Sequence, residues 1–213
     1  MLTRIGVTGG IGSGKSEVCK ILSSFGVPFV SADLIARRLT DADPSIKKKI
    51  IARFGFESYV AATSTLDRAH IASLVFGNRE NLLALNAIVH PPVLKSVDDE
   101  ASAIEKIHKS GYLIVEAALM FESGLNKNLD YVLTVAAEEA LRIDRVRRRS
   151  NLTEEQIRSR MENQIPVDQA IESSDFVLHN NGSVKELQEK VTFFHTIFSA
   201  LKPQTKRDHG HSR

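Results

Sequence analysis

The sequence predicts an α/β protein whose core is a five-stranded parallel sheet with helices on both faces. Five short apolar segments recur along the 213 residues, and several are continuously apolar rather than alternating, which is typical of strands buried on both faces. Segments with helical spacing separate them, and this alternation favours a doubly wound parallel sheet. The predicted strands span residues 5–9, 27–33, 112–117, 131–136 and 175–180.

The segment after the first strand matches a phosphate-binding loop. Gly9, Gly14, Lys15 and Ser16 fit the pattern G-x-x-x-x-G-K-[S/T], between a strand and an amphipathic helix. Such a loop turns backbone N–H groups onto phosphate oxygens, while its lysine reaches the β- and γ-phosphates and its serine binds Mg²⁺. We therefore predict a three-layer P-loop NTPase fold with Ser16 as the metal ligand. The predicted nucleotide-binding residues of this segment are Gly9, Gly10, Ile11, Gly12, Ser13, Gly14, Lys15, Ser16 and Glu17.

The rest of the chain decides among the protein classes that use such a loop. Residues 126–130 resemble the guanine-binding N-K-x-D segment of GTPases but have the wrong spacing, and no D-x-x-G segment occurs. No hydrophobic run ends in Asp-Glu, as a motor ATPase would usually show. A small-molecule kinase remains, in which an inserted segment binds the acceptor and a lid closes over the nucleotide.

Asp33 is placed by the pattern at the end of the second strand, where carboxyl ends of parallel strands form a ligand-binding crevice. A carboxylate there can accept the proton of an attacking hydroxyl group and orient it in line with the γ-phosphate. Aspartate is also among the best helix caps, and helical spacing follows Asp33. The sequence leaves both roles open. Glu116, at the end of the third strand, is a candidate outer-sphere Mg²⁺ ligand by the same placement.

About eighty residues of helical character separate the second and third strands, too many for one crossover helix. We predict a helical insertion here. Asp67 is expected to cap a helix, and the exposed Arg68 could contact an anionic acceptor. His90 precedes Pro91 at the predicted end of an apolar helix and is expected to be structural.

A second excursion, between the fourth and fifth strands, contains five arginines within residues 142–149. Arg142, Arg145 and Arg149 fall near one helix face. Guanidinium groups match phosphate oxygens and keep their charge, so a lid that neutralises transferred phosphate is favoured. A solvated basic helix and a nucleic-acid surface are the alternatives, and the lack of interleaved aromatic residues weakens the second.

Helix-capping patterns support two later helices. Ser183 with Glu186, and Thr153 with Gln156, have the spacing of capping boxes. The final polar segment, residues 202–213, lacks periodicity and is expected to be disordered.

Composition limits the partners and the compartment. The net charge is only +2 and Cys19 is the only cysteine, which argues against a nucleic-acid-coating polycation, an intramolecular disulfide or a cysteine-based zinc site. Neither a signal peptide nor an apolar run long enough for a bilayer is seen. We expect a cytoplasmic protein with small-molecule substrates, no nucleic acid, no membrane, and a monomeric or weakly homo-oligomeric state.

The segments TGGIGSGKS, ADLIARRL, TLDR, LVF, IVHP, LMFESG, RVRRR and HNNGS, in this order, closely resemble those of the dephospho-CoA kinase family. The resemblance covers residues 3–200. It implies transfer of the γ-phosphate of ATP, with Mg²⁺, to the 3′-hydroxyl group of the ribose of dephospho-CoA, the last step of coenzyme A biosynthesis.

The resemblance also implies a three-part architecture and a set of site residues. The nucleotide-binding core would comprise residues 1–32, 111–137 and 166–201, the helical acceptor domain residues 33–110, and the lid residues 138–165. By matching position, the catalytic residues would be Asp33 as base, Lys15, Arg145 and Arg149. Asn180 would lie near the adenine, and Arg68, His90 and Glu116 would bind substrate.

The chain departs from the family pattern after the third strand. Glu116, Ala117 and Ala118 stand where the family more often has Asp, any residue and Pro. Glutamate keeps the negative charge and adds a methylene, so a contact to Mg²⁺-bound water remains feasible with a shifted backbone.

Two other functions remain open on the sequence alone. Another P-loop kinase, acting on a nucleoside or nucleotide, would share the core and the lid but need a different acceptor segment. A regulatory ATPase that binds nucleic acid through the arginine helix would bind with a steep salt dependence. A scaffold with an inactive loop is disfavoured because Lys15, Ser16 and Asp33 are all present.

Overall fold

A computed structural model describes residues 2–108, 111–150 and 152–204 of the chain. In these residues five strands form one sheet, and helices connect them. The strands are β1 (Thr3–Thr8), β2 (Phe29–Ser31), β3 (Tyr112–Glu116), β4 (Tyr131–Ala136) and β5 (Phe176–His179). The helices are α1 (Lys15–Ser24), α2 (Ala32–Ala42), α3 (Pro44–Phe54), α4 (Arg68–Val75), α5 (Arg79–Ile107), α6 (Glu139–Arg149), α7 (Glu154–Glu162), α8 (Val167–Glu172) and α9 (Val184–Ala200).

The strand order in the sheet is β2-β3-β1-β4-β5. β1 pairs in parallel with β3 and with β4, and β4 pairs in parallel with β5. The α/β class and the parallel five-stranded sheet expected from the sequence are therefore confirmed. β1 lies at the centre of the sheet, so the loop that follows it has β3 on one side and β4 on the other.

The central strands are buried on both faces, as their continuous apolar sequence indicates. Successive side chains of a strand point to opposite faces of the sheet. Leu113 and Ile114 are successive residues of β3 and are 0 % and 1 % exposed, so both faces of the sheet are covered at this strand. Helices α1 and α9 pack together on one side, where Leu22 and Phe198 belong to the same apolar cluster as Val135.

The predicted capping residues begin the helices that follow them. The Thr153 hydroxyl accepts from the N–H of Gln156, and the Gln156 side chain accepts from the Thr153 N–H, which completes a capping box at α7. The Ser183 hydroxyl accepts from the N–H of Glu186 at the start of α9. These side chains satisfy N–H groups that have no partner within the helix.

The second strand is shorter than the sequence predicts. β2 ends at Ser31 because the Ser31 hydroxyl accepts a hydrogen bond from the N–H of Leu34, which makes Ser31 the cap of α2. The prediction that Asp33 ends a strand is therefore wrong, and so is its alternative role as the cap. Asp33 is exposed in the first turn of α2, where its negative charge interacts favourably with the helix dipole.

The helix predicted to end at His90 continues through Pro91 and Pro92 as part of α5. Proline has no N–H, so two carbonyl groups of the preceding turn lose their usual helical partners. Beyond the prolines, an apolar stripe with a spacing of four residues is buried, consisting of Val93, Val97 and Ala101. Burial of this stripe stabilises the continuous helix at a position where local preference favours a boundary.

The chain divides into two compact units, residues 1–30 with 100–213, and residues 31–99. The first unit contains most of the sheet. The second has a small core of its own, formed by Ile46, Ile50, Tyr59, Leu66 and Ile71. The finer division into core, acceptor domain and lid stays a prediction.

None of the helices in the described part of the chain is long and apolar enough to span a membrane.

At the carboxyl end, the N–H of Gln204 donates to Asp130, so the first residues of the tail lie on the sheet unit. The rest of the tail that we expect to be disordered, residues 205–213, lies outside the described residues.

Candidate nucleotide-binding site

The loop between β1 and α1 has a conformation that requires glycine at two positions. Gly12 and Gly14 have φ angles of 81° and 96°, in the left-handed region that side chains rarely adopt. A Cβ atom at Gly14 would lie 2.2 Å from Nδ2 of Asn180, and one at Gly12 would lie 2.4 Å from the carbonyl oxygen of Arg142. The loop therefore approaches two later segments closely, and Gly14 then caps α1.

Lys15 and Glu116 form a buried ion pair beside the loop. Lys15 Nζ lies 2.7 Å from Glu116 Oε1, and each side chain is only 9 % exposed. The parallel register of β1 and β3 aligns Val7 with Glu116 and so brings the end of β3 to the loop. The Glu116 carboxylate holds the Lys15 side chain in place and compensates the positive charge of its ammonium group.

Cys19, one helical turn after Lys15, is buried next to this pair. Burial raises the pKa of the Cys19 thiol to about 12, and the nearby charge of Glu116 adds to the effect while Lys15 opposes it. The thiol therefore stays protonated at neutral pH and acts as a small apolar side chain.

Asn180, directly after β5, supports the loop from another side. Its Nδ2 donates to the carbonyl oxygen of Ser13 at 2.8 Å, and the residue is 6 % exposed. The adenine contact that the resemblance implies for Asn180 stays a prediction. The hydroxyl of Ser13 is buried and has no hydrogen-bond partner among the described residues, so one polar atom of the loop remains unsatisfied.

Ile11, at the outer end of the loop, has both of its peptide groups held by side chains. Its N–H donates to Gln164 Oε1 at 2.8 Å, and its carbonyl accepts from Arg142 Nε at 3.0 Å. No local sequence pattern marks Gln164 as a functional residue. The sequence marks Arg142 only as one arginine of a helix face.

Three other arginines of α6 differ in their surroundings. Arg145 is half-buried, and its Nη1 is buried with no hydrogen-bond partner among the described residues. Arg149 is exposed in the last turn of the helix. Arg148 is paired with Asp144 on the same helix at 2.9 Å. An unsatisfied guanidinium nitrogen at Arg145 is suited to an anion such as a phosphate oxygen.

The donor groups near Lys15 suit Mg²⁺. Ser16 lies exposed in the first turn of α1 and offers a hydroxyl oxygen, and Glu116 offers a carboxylate. Mg²⁺ takes oxygen ligands, commonly one or two from the protein with the rest from phosphates and water. Among the described residues, no cluster of three or more His, Cys, Asp or Glu side chains could hold a metal by itself.

In the unit of residues 31–99, Asp67 caps α4 by accepting from the N–H of His70. Arg68 is half-exposed and lies 3.0 Å from Asp41. Partial burial alone would raise the pKa of Asp41, but hydrogen bonds from Arg68 and Leu66 and the guanidinium charge hold that pKa below its usual value. Arg68 is thus oriented by a carboxylate while part of it remains accessible.

The structure brings together the loop residues, Glu116 and Asn180 within the sheet unit. Asp33, Arg68 and His90 belong to residues 31–99, where His90 is partly buried on α5. Their roles toward a substrate, like those of Arg145 and Arg149, stay predictions.

Comparison with known proteins gives one consistent result. A model of the dephospho-CoA kinase family matches residues 3–186. The chain is 38 % identical over 190 residues to a dephospho-CoA kinase of Chlorobaculum tepidum, covering 88 % of this chain and 90 % of that protein. It is 38 % identical over 191 residues to the dephospho-CoA kinase of Salinibacter ruber, covering 89 % of this chain and 94 % of the relative.

A solved structure gives the same result. The dephospho-CoA kinase from Campylobacter jejuni is 27 % identical and superimposes with a TM-score of 0.69, covering 93 % of this chain and 98 % of that one. The similarity therefore extends over nearly the whole length of both chains.

The buried ion pair leads to a stability prediction. Glu116→Gln removes the carboxylate that lies 2.7 Å from the buried Lys15 ammonium, and we expect the free energy of unfolding in urea to fall by about 3 kcal/mol. Asp99→Asn is the matched control, because it removes the carboxylate of an exposed pair with Lys95 and should leave the free energy of unfolding almost unchanged. Equal effects of the two variants would contradict a stabilising role for the pair.

Proposed function

Because the chain belongs to the dephospho-CoA kinase family, we propose that it transfers the γ-phosphate of ATP to the 3′-hydroxyl group of the ribose of dephospho-CoA. The product is coenzyme A, and the reaction is the last step of its biosynthesis. The observation that carries this proposal is the family match over residues 3–186, which includes a phosphate loop with its lysine already held in place. Such a kinase is an ATP-dependent phosphotransferase.

The loop of residues 9–16 would bind the phosphates of ATP through backbone N–H groups and the amino end of α1. Lys15 would leave Glu116 for the β- and γ-phosphate oxygens, exchanging one buried anion for another. The pair at 2.7 Å supports this role, because the ammonium is already desolvated beside the loop. Asn180 would limit the adenine pocket on the β5 side.

We propose Mg²⁺ as the metal, with the Ser16 hydroxyl as its direct ligand and Glu116 acting through a bound water molecule. When bound, Mg²⁺ would neutralise part of the charge on the β- and γ-phosphates. The oxygen donors of Ser16 and Glu116 fit this ion. The Glu116 carboxylate, once Lys15 has turned to phosphate, would be available for that water.

Arg145 and Arg149 are proposed to hold the charge of the phosphoryl group during its transfer. The unsatisfied Nη1 of Arg145 supports this assignment, since a buried donor without a partner costs free energy until an acceptor arrives. Arg149, one turn later and exposed, could reach a phosphate when the segment of residues 138–165 closes as a lid. Closure would exclude water and so limit hydrolysis of ATP.

Asp33 is proposed as the base that accepts the proton of the ribose 3′-hydroxyl group and orients it in line. Its exposure in the first turn of α2 supports this, because the carboxylate can meet a substrate. The helical domain of residues 33–110 would bind dephospho-CoA. Its contact residues would be His90 and Arg68, and Arg68 is oriented by Asp41. The core would comprise residues 1–32, 111–137 and 166–201.

The proposed enzyme acts in the cytoplasm on small molecules alone, as a monomer or weak homo-oligomer. Two arginines of the basic helix are engaged within the protein, Arg142 with Ile11 and Arg148 with Asp144. This engagement argues against a continuous nucleic-acid-binding surface, as does the net charge of +2.

The acceptor is tested by the release of ADP from Mg-ATP. We expect fast release with dephospho-CoA, with coenzyme A appearing in equal amount, and only background release with adenosine, AMP or buffer. Faster release with a nucleoside or nucleotide than with dephospho-CoA would overturn the proposed acceptor. Release of ADP at the same rate without any acceptor would overturn the proposed kinase activity.

The role of Asp33 is tested by Asp33→Asn. Removing the base should lower the turnover number by about a hundredfold or more, while the dissociation constant of ATP stays close to that of the wild type. Asp43→Asn is the control, since Asp43 caps α3 and asparagine caps a helix about equally well. Unchanged turnover in Asp33→Asn would refute its role as base.

A further inference from the structure

We propose that Arg142 and Gln164 are positioning residues, which hold the phosphate loop through Ile11 and thereby set the affinity for the nucleotide. The inference rests on the proposed function in so far as the loop binds ATP. Neither residue is part of the loop motif. Both come from the chain that follows β4, more than one hundred residues away from the loop.

The two hydrogen bonds use both peptide groups of Ile11. The Ile11 N–H donates to Gln164 Oε1 at 2.8 Å, and the Ile11 carbonyl accepts from Arg142 Nε at 3.0 Å. Groups that are already bonded within the protein do not need phosphate as a partner. The two hydrogen bonds therefore fix the orientation of the peptide groups on either side of Ile11. The rest of the loop continues from Gly12.

The orientation of the Gln164 side chain is itself fixed. Its Nε2 donates to the carbonyl oxygen of Ala118 at 3.2 Å, two residues beyond β3. With the acceptor end on Ile11 and the donor end on Ala118, a flipped amide would lose both hydrogen bonds. The next residue is held as well, because the N–H of Ile165 donates to Glu122 at 2.7 Å. Gln164 thus ties the loop after β1 to the segment after β3.

Arg142 occupies the space that two glycines leave open. The residue is 8 % exposed. A Cβ atom at Gly10 would lie 2.2 Å from Arg142 Nη2, and one at Gly12 would lie 2.4 Å from the Arg142 carbonyl oxygen. Burial lowers the pKa of Arg142, with Glu139 opposing the shift, yet a guanidinium remains charged at neutral pH. Displacing a buried cation from the carbonyl to which it donates costs free energy, because the charge is left without its hydrogen bond.

The side chain of Ile11 supplies a third point of attachment. It packs against an apolar cluster formed by Ile143, Val146 and Ile157 of α6 and α7. Helix α6 therefore holds Ile11 both by a hydrogen bond and by packing. If the lid segment closes, neither the part of α6 up to Val146 nor Ile157 and Gln164 can move far without carrying Ile11 with them, so we expect the moving part to lie between Val146 and Ile157.

Nucleotide binding without an acceptor is the decisive measurement. Arg142→Met removes the donors and keeps much of the side-chain length, and Gln164→Leu removes both ends of the amide at similar volume. We expect each variant to weaken ADP binding, measured by titration calorimetry, by about tenfold. The KM for ATP should rise in parallel, while the KM for dephospho-CoA stays within about twofold of the wild-type value.

Since both residues act on one peptide segment, their effects should not multiply. The dissociation constant of ADP for the double variant should be less than about three times that of the single variant that binds ADP more weakly. Gln164→Glu, which keeps an acceptor for the Ile11 N–H, should bind ADP more tightly than Gln164→Leu. Arg148→Met and Gln169→Leu are the matched controls on exposed positions of α6 and α8, and their ADP affinity should equal that of the wild type.

Three outcomes would overturn the proposal. One is ADP affinity within about twofold of wild type in both single variants. Another is a lower thermal midpoint and lower kcat with unchanged ADP affinity, because that pattern reflects loss of folded enzyme alone. The third is independent, fully multiplicative effects in the double variant. Wild-type protein that binds ADP but does not phosphorylate dephospho-CoA would refute the acceptor and leave this test intact, whereas wild-type protein that binds no ADP would refute both.

Discussion

The buried ion pair between Lys15 and Glu116 is the constraint on which the rest of the site depends. The Lys15 side chain is only 9 % exposed, and a buried ammonium group is stabilised by an anion beside it. Before the nucleotide binds, Glu116 supplies that anion at 2.7 Å. In the proposed reaction the phosphate would take its place, and Glu116 would help to hold Mg²⁺ through a water molecule. In this proposal Glu116 would stabilise the folded protein first and contribute to the reaction afterwards.

The sheet topology explains why support for the loop comes from segments so distant in the chain. With β1 between β3 and β4 in the strand order, the loop after β1 lies beside the ends of both neighbours. Glu116 ends β3, Arg142 lies on the helix after β4, and Asn180 follows β5. Each contacts a different part of the loop. The glycines leave space for Arg142 and Asn180, so the motif and its supporting side chains are fitted to one another.

The sequence was most informative where the signal is local. The presence of five strands, the capping residues Thr153 and Ser183 and the turn from β1 to α1 follow from neighbouring residues, and the structure confirms them, although β2 ends earlier than predicted. At α2, two good caps lie two residues apart, and only the Ser31 hydrogen bond decides between them. In α5, burial beyond Pro91 outweighs local preference. Contacts such as that of Gln164 with Ile11 bridge 153 residues, and no local pattern encodes them.

The most direct test of this account is a crystal structure of the protein with Mg-ADP. We expect Lys15 Nζ to leave Glu116 and contact the β-phosphate, Ser16 to ligate the metal, and the hydrogen bonds of Ile11 with Arg142 and Gln164 to remain. That result would show a loop built by the protein before the nucleotide arrives, with a lysine that exchanges one anion for another. A lysine still paired with Glu116 beside bound ADP, or a loop that breaks both Ile11 hydrogen bonds, would contradict it.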